Sequence, residues 1–145
     1  MSRTISFRGL IDDGGEDRIP LQTIQGLIGY RITKFECMQD GFGNSEMVIK
    51  VWKTKQSTID STVDFSNNRL LAVVYYQDDA NPAYPSATDV IFDNEKFNQD
   101  IFVNITDGAG GTVPCNYYIE LEQMSLDLNE QTVATLKDIR NVGAE

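Results

Sequence analysis

The chain has 145 residues, 41% of them hydrophobic and 10% aromatic, with two cysteines and no histidine. That length is one domain by prior and buries about 68–70% of its unfolded surface, so it needs neither disulfides nor a structural metal to fold. The net charge of −10 gathers in residues 56–145, with four Lys/Arg against fifteen Asp/Glu, while residues 1–55 hold eight against seven; an acidic surface repels phosphate backbones and disfavours a nucleic-acid role.

In chain order, 4–10 alternates and predicts a strand, followed by an acidic glycine turn over 12–17 and a short run at 18–21. Pro20 in that run points to an edge or a strand start. The run 28–37 is the clearest early strand. Ile28, Tyr30 and Ile32 share one face, while Phe35 and Cys37 are out of phase with them, which predicts a bulge or a strand covered on both faces. After the Gly41–Asn44 turn, 46–54 alternates with Met47, Ile49 and Val51 inward and Lys50 on the other face beside Trp52. Residues 55–68 are polar, with a short element at 63–65. Run 69–76 is almost continuously apolar, as in a strand buried on both sides.

A loop over 78–87 contains Pro82 and Pro85, and short strands follow at 90–92 and 101–105. Gly108, Gly110 and Gly111 mark a flexible turn. In 115–128 the apolar positions Tyr117, Ile119 and Leu121 give way to Met124, Leu126 and Leu128 on the other parity, which predicts a bulge near Glu122 and Gln123. About eight strands in one domain, 1–145, predict an antiparallel β-sandwich of jelly-roll type. The tail 130–140 carries Val133, Leu136 and Ile139 at helical spacing and predicts a short C-terminal helix, with a ninth strand as its competitor.

Chemistry-bearing motifs are sparse. Without histidine, Ser-His-Asp and Cys-His catalysis are excluded, and no nucleophile elbow, phosphate loop or zinc spacing occurs. Glu120 and Glu122 fall about 6.6 Å apart by strand rise, a spacing compatible with glycoside hydrolysis but commoner as solvent-facing acids. The acidic stretches Asp12-Asp13-Gly14-Gly15-Glu16-Asp17 and Asp78-Asp79 offer oxygen ligands without the order of a calcium loop. Tyr84 with Pro85, near Tyr75 and Tyr76, offers a sugar-stacking platform. Cys37 and Cys115 read as buried free thiols, with a cross-strand disulfide as the other reading. The N-terminus has no apolar leader core and no run approaches membrane-spanning length, so neither a secreted precursor nor a membrane protein is expected. The expectation is a non-enzyme without cofactor or metal.

Several stretches carry a likeness: Thr4-Ile5-Ser6-Phe7-Arg8-Gly9, Gly29-Tyr30-Arg31-Ile32-Thr33-Lys34-Phe35, Phe92-Asp93-Asn94-Glu95-Lys96-Phe97-Asn98-Gln99-Asp100, and Asn116-Tyr117-Tyr118-Ile119-Glu120-Leu121-Glu122, continued by Val133-Ala134-Thr135-Leu136-Lys137-Asp138-Ile139-Arg140-Asn141. From Thr4 to Asn141 the chain resembles small virion structural proteins of marine tailed bacteriophages. The resemblance implies a capsid decoration or cement subunit, a homotrimer on the exterior of the head that binds the major capsid protein and ties capsomers together, made in the host cytoplasm. The near-neutral first third is the expected docking surface, with Arg3, Phe7, Arg8 and Arg18 facing the capsid. A tail, adaptor or head-fibre component and a carbohydrate-binding module are the rival readings.

Overall fold

In the computed structural model, which describes residues 3–22, 27–41, 45–78, 86–92, 95–108, 113–126 and 135–136, the alternating runs become strands. These are β1 (Arg3–Ile11), β2 (Glu16–Ile19), β3 (Ile28–Gln39), β4 (Ser45–Trp52), β5 (Leu70–Asp78), β6 (Ser86–Ile91), β7 (Ile101–Asp107) and β8 (Cys115–Ser125). They form two antiparallel sheets, one of order β1-β8-β3 and one of order β2-β7-β4-β5-β6. The expected β-sandwich is therefore the fold. Its pairing is nested: first strand with last, second with seventh, fourth with fifth, as in a jelly roll. The departure is β6, which bonds β5 and leaves β3 outside that sheet.

Period-two alternation sends one set of side chains from each sheet into the space between them. Ile32, Phe35, Ile119 and Leu121 meet Met47, Ile49, Val51, Val74, Ile101, Val103 and Ile105, all essentially without solvent contact. Each such side chain stabilises the fold by about 1.5–3 kcal/mol relative to exposure. The phase change in β3 is a bulge: its register against β8 shifts between Ile32 and Lys34, so Ile32 and Phe35 both point inward.

The bulge expected near Glu122 and Gln123 is absent. The register of β8 runs unbroken through Glu122 and Gln123 against both β1 and β3, and on to Ser125 against β3. The apparent phase change arises because Leu126 lies beyond the strand end, where its N–H donates to the Leu27 carbonyl at 2.9 Å and its side chain fills the space over Gly29. A Cβ on Gly29 would sit 2.5 Å from Leu126 Cδ2.

The acidic turn is shorter than expected, because β2 already begins at Glu16. Gly14 closes it with a φ of 78°, in the region that L side chains avoid, and its N–H donates to the Ile105 carbonyl at 3.0 Å. No strand forms at 63–65; Asp64 instead accepts hydrogen bonds from the N–H and hydroxyl of Ser66, which hold its carboxyl below the usual range. Segment 53–69 lies over the outer face of the five-stranded sheet and buries Lys50 and Trp52. The helix expected at 130–140 lies outside the described residues except for 135–136, where Thr135 Oγ1 accepts a hydrogen bond from buried Asn98 at 2.8 Å. The turns at 42–44 and 109–112, Asp79, Tyr84 and Pro85 also lie outside them.

Both cysteines are free. In the β3–β8 register Cys37 is opposite Tyr117 and Cys115 opposite Gln39, so the thiols are diagonal neighbours. Burial first, then a hydrogen bond with Cys115, pushes the Cys37 thiol up.

Candidate interaction surface

A sandwich has four edge strands, and here they differ. β2 has four residues, is followed by Pro20, and carries Arg18, which bridges Asp100 at 2.8 Å. β3 has part of its outer edge occupied, because Tyr30 and Phe97 exchange N–H···O bonds of 2.8 and 3.0 Å and their rings stack. β6 lies against β3 at the same flank. β1 is different: nine residues long, without Pro or a bulge, charged only at the exposed Arg3 and Arg8, and among the described residues paired only with β8. Natural edges are usually blunted by one of those devices, since unpaired N–H and C=O groups invite another strand.

Parity assigns the β1 side chains. Ile5 and Phe7 pack against the core, whereas Ser6, Arg8 and Leu10 look outward. Phe7 is thus half-buried, a core contributor with a face still open at the edge. Arg3 begins the strand in the same rung as Gln123 and Tyr30. Burial pushes the Tyr30 phenol up and the Arg3 guanidinium opposes that rise. Arg18 is 62% exposed at its side chain but belongs to β2, across the sandwich from Arg8. The structure therefore brings Arg3, Phe7 and Arg8 together on one strand and sets Arg18 on the neighbouring edge of the other sheet.

Next to β1 the outer face of the three-stranded sheet has a depression of about 560 Å³ lined by Arg8, Leu10, Glu36, Met38 and Tyr118 among others. Leu10 is 53% and Met38 63% exposed, large apolar side chains that a solvent-facing rung does not require. The register makes two rungs of them, Leu10–Asn116–Met38 and Arg8–Tyr118–Glu36. Leu10 was legible in the sequence because it shares parity with Arg8, and Met38 because it stands on the opposite parity to Phe35 and Cys37 once the bulge is placed before them. Lys34 stands over the Tyr118 ring at 6.0 Å and bridges Glu36 at 3.7 Å and Glu120 at 3.8 Å.

The two glutamates with hydrolase-like spacing are both ion-paired on this face, Glu122 with Arg31 at 3.1 Å and Glu120 with Lys34. In the acidic turn Asp13 accepts the Asp107 N–H at 2.8 Å, and among the described residues no three acidic, Cys or His side chains converge to hold a metal. No family model matches the sequence, and no curated protein matches it.

Proposed function

We propose that this chain is a non-enzymatic structural subunit of a phage particle, a decoration subunit that binds the exterior of the head along its β1 flank. The observation that carries this reading is the long edge of β1, free of Pro and bulge, beside exposed Leu10 and Met38. An edge of that kind is satisfied by main-chain hydrogen bonds from a partner strand, and the adjoining apolar pair gives such a partner a side-chain pocket. The resemblance to virion structural proteins of marine tailed phages supports the same reading and names the partner, the major capsid protein. As a homotrimer contacting several capsomers, the subunit would be retained multivalently even where each contact is weak.

The test is absolute mass by size exclusion with light scattering, followed by binding to heads stripped of decoration. A trimer that returns to stripped heads supports the proposal. Rings or open polymers that ignore heads would move the assignment to a tail or fibre component, and a monomer stabilised by sugars and indifferent to heads would make it a carbohydrate-binding module.

A further inference from the structure

On the outer face of the five-stranded sheet, three different functional groups stand in one rung. Glu16 on β2 is the register partner of Asn104 on β7, and Asn104 is the register partner of Lys50 on β4. Directly opposed cross-strand residues have Cβ atoms about 4.5–5.5 Å apart, so the lysine amine has the carboxamide within the sweep of its side chain. Lys50 is 3% and Asn104 1% exposed, roofed by segment 53–69. The Asn104 Nδ2 donates to Glu16 Oε2 at 3.2 Å, while its carbonyl Oδ1 is buried with no hydrogen-bond partner among the described residues. The Lys50 Nζ lies 3.3 Å from Asp60 Oδ1 and 2.8 Å from the Thr62 carbonyl, with the Trp52 ring 5.5 Å away.

A buried amine and a buried carboxamide beside a half-buried carboxylate are the complete set for an amide exchange. We infer that Lys50 and Asn104 form an intramolecular isopeptide bond across β4 and β7, with Glu16 as the proton carrier. The Lys50 ammonium gives one proton to Asp60, and the neutral amine turns from the roof to attack Asn104 Cγ. The new N–C bond forms as the C=O pair moves onto Oδ1. Nitrogen in the tetrahedral adduct passes a proton to the Glu16 carboxylate, which delivers it to Nδ2, already its hydrogen-bond partner. The oxyanion pair returns, the Cγ–Nδ2 bond breaks, and ammonia leaves with the proton held by Asp60. Lysine ammonium plus carboxamide thus becomes isopeptide plus ammonium, with no oxidant, metal or co-reactant. Fixed cross-strand placement converts a reaction that is very slow between free side chains into an intramolecular one. The bond would join the β4–β7 pair at mid-sheet and is independent of the decoration reading.

Intact-mass spectrometry of the purified full chain tests it. The expected mass is lower than the sequence mass by one molecule of ammonia, with a digest containing a single species in which the peptides of Lys50 and Asn104 are joined. Lys50→Arg and Asn104→Ala should each restore the full mass of their own sequence, and Glu16→Gln should leave most of the protein unlinked. Full mass in the unmodified chain overturns the proposal outright, whether or not any variant folds. Ammonia loss without the joined peptide overturns it equally, and complete linkage in Glu16→Gln overturns the role of Glu16.

Discussion

At the residue scale, Tyr117 shows how a single polar group is fitted into this core. Its ring lies under Gly9, where an added Cβ would meet Tyr117 Cε1 at 2.8 Å, and its hydroxyl donates to Asp17 Oδ2 at 3.3 Å. Burial first, and then the Asp17 charge and hydrogen bond, push the phenol up to about 12 from the model-compound value of 10.0. The folded state therefore binds this proton more tightly than the unfolded chain does. Its contribution is intact below pH 10 and declines as pH rises through about 12. Thermal melts should show Tyr117→Phe losing less stability than the parent protein over that window; equal slopes would remove the Asp17 contact as a factor. Ile105, wholly buried between the sheets, gives the apolar counterpart. Ile105→Ala should cost about 2–5 kcal/mol in urea unfolding, since it removes buried methyl groups and leaves a cavity. The placement of Lys50 beside Trp52 was legible from parity alone. Its burial was not, because the segment that covers it has no periodicity to read.

At the scale of elements, the sequence pattern was most informative where a strand has one wet and one dry face. β1, β4, β7 and the bulge in β3 all followed from alternation, because a change of phase within one strand has few physical causes. The same reasoning failed at β8, where a residue beyond the strand end mimicked a change of phase inside it. Alternation also could not rank the edges, since whether a strand is interior or marginal depends on partners distant in the chain. The contrast between β1 and β2 emerges only from topology. It leads to a paired expectation for Leu10→Lys with Met38→Lys. Both sites are exposed, so stability should stay within about 0.5 kcal/mol of the parent. Binding to stripped heads should nevertheless be lost, because two ammonium groups would then occupy the apolar rung. Retained binding would place the contact elsewhere on the molecule.

At the scale of the whole molecule, two properties dominate. The first is the net charge of −10, carried mainly by the later part of the chain. Self-repulsion of that size opposes compaction and is relieved by counterions. Raising sodium chloride from about 0.01 to about 0.1 M shortens the Debye length from about 30 to about 10 Å and should raise the melting temperature; a flat response would mean that the surface charges are already compensated in pairs. The second is the nesting of strands. β1 meets β8, more than a hundred residues later, through the register Arg3↔Gln123 to Ile11↔Cys115. Pairings this remote in sequence require large loops to close before any contact rewards them, so folding belongs to the slow, millisecond-to-second regime.

Nesting has one more effect. It brings β1 and β2 to the same flank although they belong to different sheets, while β3 and β6 come together at the opposite flank, where Phe97 is clamped to Tyr30. In the language of polymers, the two flanks are unequal sites for strand addition: β3 already holds Phe97 at Tyr30 and has β6 beside it, whereas β1 among the described residues has only β8. Used as proposed, the β1 flank would give addition a direction, and growth at the opposite flank would first have to break the Tyr30–Phe97 clamp.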